Sequence, residues 1–408
     1  MPYPYAQTAV LIIKILWRGR ADANPTLESA RAPADRAALF RAPSLYRWPL
    51  CALLALGAAV VAQAQVPAVR PDSGPWTSGA GFDFDLGAKK RKKARQSVSG
   101  LACNLDARQR RICLVAFDEG AEARYAEVGN QVLAIDAERL VLRAGGGELD
   151  AEGAATDGRY VYLTGSHSAK RSDCAPNPGS RHVLRLRLDP ATGRAVRLPG
   201  GALADTADTG RLWAVMQAQA GLAPHVGERK CLGSEPPDEA PRLAGQQGVN
   251  IEGLAVRDGR LYFGFRGPAS NGVAPVLAVD ADALFAPEAA RDLKPTLTRL
   301  ALGPNRGIRD MVAVKSGLLL LAGPDDSPAS QNAGWVVAWW DGQGAEGRLV
   351  QPKILAALNL GRVTLRQCDK ELKPEAMTVL EETPAAYKLL VLSDGMCDGG
   401  PLAFTLAR

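Results

Sequence analysis

Carboxylate residues recur at matching places in a repeated sequence pattern, and this recurrence is the strongest chemical signal in the chain. Glu152, Glu252, Asp310 and Glu375 each stand at the start of an alternating apolar segment. Carboxylates that meet in one place can bind a hard cation such as Ca²⁺ through oxygen ligands, or hold an acid and a base with separated pKa values. They can also accept backbone N–H bonds and serve the fold alone. All three interpretations stay open.

A second set of polar residues follows the apolar segment that completes each repeat. If the two segments are antiparallel strands, the start of the first and the end of the second lie at the same edge of the sheet. We therefore expect both sets to converge there. The second set comprises Asp118, Glu119, His167, Arg266, Asp325 and Asp394.

The residue types predict a role for each member of these sets. We expect His167 to be a functional group because it lies in a polar, basic loop, although a solvated loop histidine is the competing interpretation. The catalytic candidates are His167, Glu252 and Arg266. The candidate calcium ligands are Asp118, Glu119 and Asp394. The predicted ligand contacts are Glu152, Glu252, Asp310, Glu375, Lys170 and Arg171.

The unit that positions these residues is a pair of apolar strands joined by a turn. The separations of 58 and 65 residues between Glu252, Asp310 and Glu375 suit a four-stranded sheet with long loops. Radial repetition of such sheets gives an all-β fold, the β-propeller, which protects the strand edges. We favour six blades, with five and seven also open. A β-sandwich is the competing architecture, but it does not readily explain one acidic residue recurring at the same phase.

The long interval between Glu152 and Glu252 has room for two blades, or for one blade and an insertion. We predict a short helical and loop insertion around residues 205–247. Residues 209–221 carry apolar side chains at helical spacing, which predicts a short helix. Closure of the ring would require a strand around residues 82–86 to pair with the last blade, near residues 402–406.

The first 64 residues have the pattern of an export signal. A basic stretch over residues 31–47 precedes an apolar run over residues 50–62, and Ala62-Gln63-Ala64 predicts cleavage after Ala64. An uncleaved anchor or a buried segment is the alternative. The predicted organisation is therefore a leader over 1–64, a polar and basic linker over 65–97 and the propeller over 98–408. We expect a periplasmic or secreted protein with no membrane span in its mature chain.

Six cysteines follow the predicted signal, an even number that suggests disulfides in an exported chain. Their order along the chain suggests the pairs Cys103–Cys113, Cys174–Cys231 and Cys368–Cys397. Six cysteines allow 15 pairings, so this choice rests on locality alone. Free buried thiols are the alternative.

Residues 1–64 contribute +4 to the net charge of +6, and residues 65–408 are positive only because of a short basic run that spans Lys89 to Arg95. No aromatic residue is interleaved with this run, as a stacking platform for bases would require. We therefore expect no nucleic-acid partner. The run is interpreted as a solvated segment before the domain, and contact with an anionic lipid or polyanion is the alternative.

The repeated motifs carry a family resemblance. They are Ser-Gly-Leu-Ala-Cys at 99–103, Glu-Gly at 152–153 with Leu-Thr-Gly-Ser-His-Ser-Ala-Lys-Arg at 163–171, Asn-Ile-Glu-Gly-Leu-Ala at 250–255 and Lys-Pro-Glu-Ala-Met at 373–377. Together they resemble the bacterial domain-of-unknown-function family numbered thirty-six sixteen, over about residues 98–400. The resemblance implies an exported, propeller-like protein and no established activity. The Glu-Gly-apolar-Ala repeat is also distantly similar to the esterase-like phytase propellers.

Two functions follow as hypotheses. The first is a binding or scaffold propeller that recognises a small ligand, a glycan or a protein at the acidic channel mouth. The second is a metal-assisted phosphoesterase or esterase of the calcium type, in which rim carboxylates are the ligands and the general base. Whether the protein is an enzyme stays open at this level, and a hydrolase is the enzyme class that the residues favour.

Overall fold

Strands of alternating or continuous apolar residues fold into five β-sheets that follow one another along the chain. The computed structural model describes residues 66–143, 145, 147–232, 248–287, 292–327, 330 and 332–408. The predicted signal and its cleavage site lie outside these residues. Each sheet is antiparallel except where the short strands β1 (Ala68–Val69) and β18 (Leu349–Val350) add a parallel edge. We call the sheets blades I to V.

Blades I and II are built from consecutive hairpins. Blade I comprises β2 (Val98–Leu105), β3 (Arg111–Phe117), β4 (Glu122–Val128) and β5 (Leu133–Val141). Blade II comprises β6 (Ala151–Thr156), β7 (Tyr160–Gly165), β8 (Val183–Asp189), β9 (Arg194–Ala195) and β10 (Thr206–Thr209).

Blades III and IV each take an edge strand from elsewhere in the chain, and blade V has three strands. Blade III comprises β11 (Asn250–Arg257), β12 (Arg260–Gly267), β13 (Val273–Asp280), β14 (Thr296–Ala301) and β18 (Leu349–Val350). Blade IV comprises β15 (Arg306–Val314), β16 (Gly317–Pro324), β17 (Val336–Trp340), β19 (Lys353–Leu358) and β1 (Ala68–Val69). Blade V comprises β20 (Lys373–Glu382), β21 (Ala386–Asp394) and β22 (Leu402–Ala407).

The first strands of the five blades contact one another in a closed ring, in the order β2, β6, β11, β15, β20 and back to β2. The fold is therefore an all-β propeller, as predicted, and it has five blades. Five lies within the predicted range, but the favoured number of six was wrong. The interval between Glu152 and Glu252 holds one blade and an insertion, because the chain beyond β10 forms a helix instead of a further sheet.

The insertion contains the predicted short helix. Helix α2 (Arg211–Ala218) buries Leu212 and Met216, which lie four residues apart on one face. These side chains join the core between blades II and III. A one-turn helix, α3 (Ala281–Phe285), follows β13, and the Asp280 carboxylate accepts from the Ala283 N–H at 2.8 Å.

The core consists of five apolar clusters, and each cluster fills the space between two neighbouring blades. Successive buried residues of a strand point to opposite faces of its sheet, so that each sheet packs against a neighbour on both faces. The cluster between blades V and I also takes Trp76, Phe82, Phe84 and Ala94 from the segment before β2. Each blade is thus held to both of its neighbours by apolar contacts.

Residues 66–97, assigned by sequence to a linker, contact the propeller throughout much of their length. Phe82 and Phe84 pack edge-on against Phe117 of blade I, with ring centroids 5.1 and 5.0 Å away. The basic run forms helix α1 (Ala88–Arg95), of which Ala94 is buried. This segment therefore packs against the propeller and contributes side chains to its core.

Ring closure differs from the prediction. Residues 82–86 form no strand, because their aromatic side chains turn into the core. Instead, the backbone N–H groups of Asp72 and Trp76 donate to the carbonyls of Ala403 and Pro401, at 2.8 and 2.9 Å, alongside blade V. Strand β1 pairs with β19 of blade IV. The start of the domain therefore bridges blades IV and V.

The three predicted disulfides are confirmed, since Cys103–Cys113, Cys174–Cys231 and Cys368–Cys397 are bonded. The first joins directly opposed residues of β2 and β3. In the ranges that the structure describes, no helix is long and apolar enough to cross a membrane.

Candidate functional site

Every first strand carries a β-bulge near its start, at the same depth in the ring. The register shifts fall beside one extra residue in each strand, and bulges of this kind redirect a side chain. We call these five residues the bulge ring. They are Ser99, Glu152, Glu252, Arg309 and Glu375.

The bulge ring contains a buried ion-pair network centred on Arg309. Its Nε lies 2.7 Å from Oε2 of Glu252, and another guanidinium nitrogen contacts Glu375. Arg266 of β12 approaches the same carboxylate from the other side, with 2.9 Å between its guanidinium and Oε1 of Glu252. Glu252, Arg309 and Glu375 are all buried. The network therefore fixes the floor of the channel mouth, since buried charges persist only where they are paired.

Two further side chains extend this network toward the rim. Arg266 Nε lies 3.0 Å from Oδ1 of Asp326, and Asn250 donates from its amide to both Glu252 and Asp326, at 3.1 and 3.3 Å. Burial lowers the pKa of Arg309 to about 10, and the nearby Arg266 charge acts in the same direction. Arg309 thus stays protonated at neutral pH and carries the positive charge of the network.

An open cavity of about 530 Å³ lies at the channel mouth, above part of the bulge ring. We call it the mouth cavity. Its charged lining has an acidic set and a basic set of side chains. The acidic set comprises Asp118, Glu119, Glu148, Asp150 and Glu152, and the basic set comprises Lys93, Lys170 and Arg171. Glu152 is the member of the bulge ring that reaches this surface.

Three carboxyl groups of the mouth cavity resist ionisation. Burial raises the pKa of Asp118 and of Glu152 well above their usual values, and neighbouring carboxylates add to both effects. The same cause raises the pKa of Asp150 to about 6, although a hydrogen bond from the Ser166 hydroxyl acts against it. Clustered carboxyls cannot all ionise at once, so the cavity holds both protonated and ionised groups near neutral pH.

Asp118 also presents an unsatisfied acceptor. Its Oδ1 is buried and has no hydrogen-bond partner among the residues that the structure describes. Buried polar atoms are nearly always paired, so each exception calls for an explanation. Because Asp118 lines the mouth cavity, this unpaired oxygen lies in the cavity wall.

Asp310 has the purely structural role that the sequence left as an alternative. Its fully buried carboxylate accepts the backbone N–H of Met311 at 2.7 Å and that of Met377, on β20, at 2.5 Å. It therefore ties blade IV to blade V instead of lining the mouth. The acidic repeat is one residue out of phase here, and Arg309 occupies the position of Glu152, Glu252 and Glu375.

His167 lies under the rim and outside the lining of the mouth cavity. Its ring is fully buried, Nδ1 lies 3.0 Å from the Gly165 carbonyl, and its φ is +57°. Burial lowers its pKa to about 4, so the imidazole is neutral near pH 7. The sequence placed it in an exposed polar loop, but the tight left-handed turn folds the ring inward.

The remaining predicted site residues fall into two groups. Lys170 and Arg171 line the mouth cavity, as do Asp118 and Glu119. Glu252, Arg266 and Glu375 lie in the buried ion-pair network of the floor. Arg266 pairs with Glu252, and Glu375 pairs with Arg309.

The candidate calcium ligands do not form a ready metal site. Asp394 lies 3.4 Å from Lys373 Nζ, and Glu119 contacts Lys93, so two of the three carboxylates have lysine partners. Within the described ranges, no three His, Cys, Asp or Glu side chains are arranged to hold a metal ion. We therefore derive no chemistry through calcium.

Sequence reasoning missed Arg309, Asp150 and Lys93. For Arg309 a signal existed in the sequence. Aligning Ile308 with Ile251 gives Arg309 the same position in its repeat as Glu252. Asp150 stands two residues before Glu152, yet its φ of +54° directs it to the mouth cavity through a turn that no periodicity marks. Lys93 reaches the cavity only because α1 is docked there.

Comparison with known families gives one match. The sequence profile of the family described as "Protein of unknown function (DUF3616)" matches residues 121–198 and 201–398. No curated protein matches the chain.

Comparison with solved structures gives several distant similarities. A GH43 β-1,3-galactosidase is 11% identical over 82% of this chain, with a TM-score of 0.38, and this chain spans only 59% of its length. Regucalcin from Agrobacterium tumefaciens, a calcium-binding protein, is 10% identical over 83% of this chain and 95% of its own, with a TM-score of 0.33. An α-L-arabinanase of Penicillium chrysogenum, complexed with arabinobiose, is 8% identical over 84% of this chain and 98% of its own, with a TM-score of 0.35. Similarities at this level do not bear on chemistry.

Proposed function

The chain belongs to the family of proteins of unknown function DUF3616, and from its site we propose that the protein binds a sugar residue of a glycan in the mouth cavity. The observation that carries this proposal is the lining itself. Three carboxyl groups with raised pKa values, Asp118, Asp150 and Glu152, line the same open cavity as the basic side chains Lys170 and Arg171.

A carboxyl group of this kind suits a polyhydroxylated ligand. When protonated it donates one hydrogen bond, and when ionised it accepts several. Sugar hydroxyls both donate and accept, so they match either state. A cavity of about 530 Å³ also falls in the range of roughly 300–1,000 Å³ that is common for small-ligand sites. A small apolar ligand would leave these carboxyls unpaired, at a desolvation cost.

The floor of the site supports binding without taking part in it. Arg309 and Arg266 each form an ion pair with Glu252, at 2.7 and 2.9 Å. Side chains that are already held in place lose little entropy when a ligand arrives, which favours affinity. Glu152 is positioned by its bulge between these fixed groups and the open cavity.

A periplasmic or secreted location is part of this proposal. Three disulfides support it, since such bonds persist in oxidising compartments. Glycans of the cell surface and surroundings are accessible ligands in those compartments.

The binding test uses the full chain and a panel of neutral oligosaccharides, with affinity measured by calorimetry. Glu152→Gln keeps the shape of the side chain and removes its ionisation. We expect the variant to lose at least about tenfold in affinity, which corresponds to about 1.4 kcal/mol, because the amide nitrogen can only donate where the carboxyl oxygen can also accept. Folding should be unaffected, since the substitution also removes the penalty of burying a charge.

Glu381→Gln is the matched control, because Glu381 lies near the far end of β20 and is exposed. Its affinity should equal that of the unmodified protein. Repeating the titration with Ca²⁺ and with a chelator separates direct binding from binding through calcium. Equal affinity for the Glu152→Gln and control variants, or no binding by any oligosaccharide, would count against the mouth cavity as a glycan site.

A further inference from the structure

We propose that the glycan is polyanionic and that helix α1 binds its acidic groups beside the mouth cavity. This inference rests on the proposed function and adds the chemical class of the ligand. The expected ligands are polysaccharides that carry uronate or sulfate groups.

The first observation is the surface charge of α1. The five consecutive residues Lys89, Lys90, Arg91, Lys92 and Lys93 are all exposed. Lys89, Lys90 and Lys92 have no carboxylate partner among the described residues, and Arg91 lies 3.8 Å from the exposed Asp83. At a rise of about 1.5 Å per residue, five positive charges occupy roughly 6 Å of helix axis. Their combined potential attracts an anionic chain.

The second observation is that this helix is fixed in place. Arg95 donates from Nε to the buried Asp398 carboxylate at 2.9 Å, and Ala94 packs in the core between blades V and I. Gln96, directly after the helix, contacts the Cys368 carbonyl. The positive charges therefore form a defined surface, unlike those of a flexible basic tail.

The third observation is that helix and cavity share a wall. Lys93 lines the mouth cavity together with Lys170 and Arg171, which approach from blade II. Lys93 also contacts Glu119, a member of the acidic set that lines this cavity. A chain with one sugar in the cavity would therefore pass positive groups as it leaves.

The charge pattern of α1 also has an energetic consequence. Lys89 and Lys93 lie four residues apart, and like charges at this spacing destabilise a helix. The first turn of α1 contains no acidic residue that would offset them. An anionic ligand would relieve this repulsion, so binding and helix stability should increase together.

A glycan fits these observations better than a membrane or a nucleic acid. The basic helix borders a concave cavity, whereas a flat lipid surface would touch the rim alone. The helix has no aromatic residue on which bases could stack.

The experiment compares two forms of one sugar chain, a de-esterified oligogalacturonate and its fully methyl-esterified, uncharged counterpart. The test variant combines Lys89→Gln, Lys90→Gln and Lys92→Gln, and leaves Lys93 on Glu119. The control combines Lys315→Gln, Lys353→Gln and Lys388→Gln, which remove the same charge from exposed positions on blades IV and V.

We expect the helix variant to bind the charged oligomer at least tenfold more weakly at low salt, with a shallower dependence on salt concentration. The control variant and the unmodified protein should bind it equally. All three proteins should bind the uncharged oligomer with the same, lower affinity. A melting temperature of the helix variant at or above that of the unmodified protein shows that folding is intact.

Other results would overturn this assignment. Unchanged binding of the charged oligomer by the helix variant rejects the role of α1, while the mouth cavity stands as long as Glu152→Gln still weakens neutral sugars. Helix-dependent sedimentation with vesicles that contain phosphatidylglycerol, without oligogalacturonate binding, would assign α1 to a lipid surface instead. If the unmodified protein binds neither the charged nor the uncharged oligomer nor any neutral sugar, this inference and the proposed function are both rejected.

Discussion

The buried carboxyl groups of the floor and of the mouth cavity have different partners. Glu252 has arginine partners on both sides, so its charge is compensated. Asp118, Asp150 and Glu152 lie among other carboxylates, and their pKa values rise because neither burial nor the neighbours favour ionisation. The mouth cavity is therefore a place where the fold tolerates an electrostatic cost. Such places are often functional sites.

The substitution Asp150→Asn tests this cost through the pH dependence of stability. The folded pKa is about 6, against about 3.9 in an unfolded chain. The uncharged carboxyl is thus favoured by the fold, and this stability is full below about pH 4 and is lost as the pH rises through 6. We expect Asp150→Asn to be more stable than the unmodified protein at pH 7.5, by about 1–2 kcal/mol after allowance for partial exposure.

The measurement is urea unfolding at several pH values between 4 and 7.5. The difference between the two proteins should shrink toward pH 4, where both carry an uncharged side chain at residue 150. Asp282→Asn, at an exposed position, should show no such pH dependence. A constant difference at every pH would mean that Asp150 does not titrate in this range.

At the scale of the strand, the Glu-Gly pairs have a common structural cause. The bulge at residue 152 turns the carboxylate toward the mouth, and Gly153 lets β6 approach β11 closely. A Cβ at residue 153 would lie 2.8 Å from Cβ of Leu254 and 3.1 Å from the Glu252 carbonyl oxygen. The glycine allows the close packing of the strands, and the adjacent glutamate lines the mouth cavity.

Gly153→Ala should therefore separate the first strands of blades II and III. Because backbone atoms lie in the way, the methyl group cannot be accommodated by a side-chain rotation. We expect a loss of about 1–3 kcal/mol in the free energy of unfolding, as in other overpacked cores. Gly74→Ala, where no atom lies within 4 Å of the added Cβ, is the matched control and should change stability little. Equal urea midpoints for the two variants would contradict this account of the ring.

At the scale of the whole molecule, the propeller is closed by contacts between the two ends of the described chain. Asp398 accepts hydrogen bonds from the Ser78 hydroxyl at 3.0 Å, the Phe82 N–H at 2.9 Å and Arg95 at 2.9 Å. These partners precede it by 303 to 320 residues. One buried carboxylate thus holds the first segment, including α1, against blade V.

Asp398→Asn should weaken this closure. The amide suits the left-handed backbone at residue 398, but it leaves the guanidinium of Arg95 without its counter-charge. We expect a loss of about 2–4 kcal/mol in the free energy of unfolding. Asp72→Asn, in the same segment, weakens the exposed hydrogen bond that the Thr405 hydroxyl donates to Asp72 and should cost less than about 1 kcal/mol. Matching urea midpoints for the two variants would show that Asp398 does not hold the ends together.

The sequence alone determined the repeated architecture, because local periodicity reports the strand pairs. It determined the three disulfides through proximity along the chain, and the helix α2 through its apolar spacing. It also placed Lys170, Arg171 and Glu152 together at one mouth.

Only the tertiary structure decided the number of blades, the register of the fourth repeat and the location of α1. A one-residue shift exchanges Arg309 for Asp310 at the bulge, and sequence periodicity does not resolve a shift of that size. The docking of α1 depends on Asp398, more than 300 residues away. These features depend on contacts between distant parts of the chain, whose energies no local pattern records.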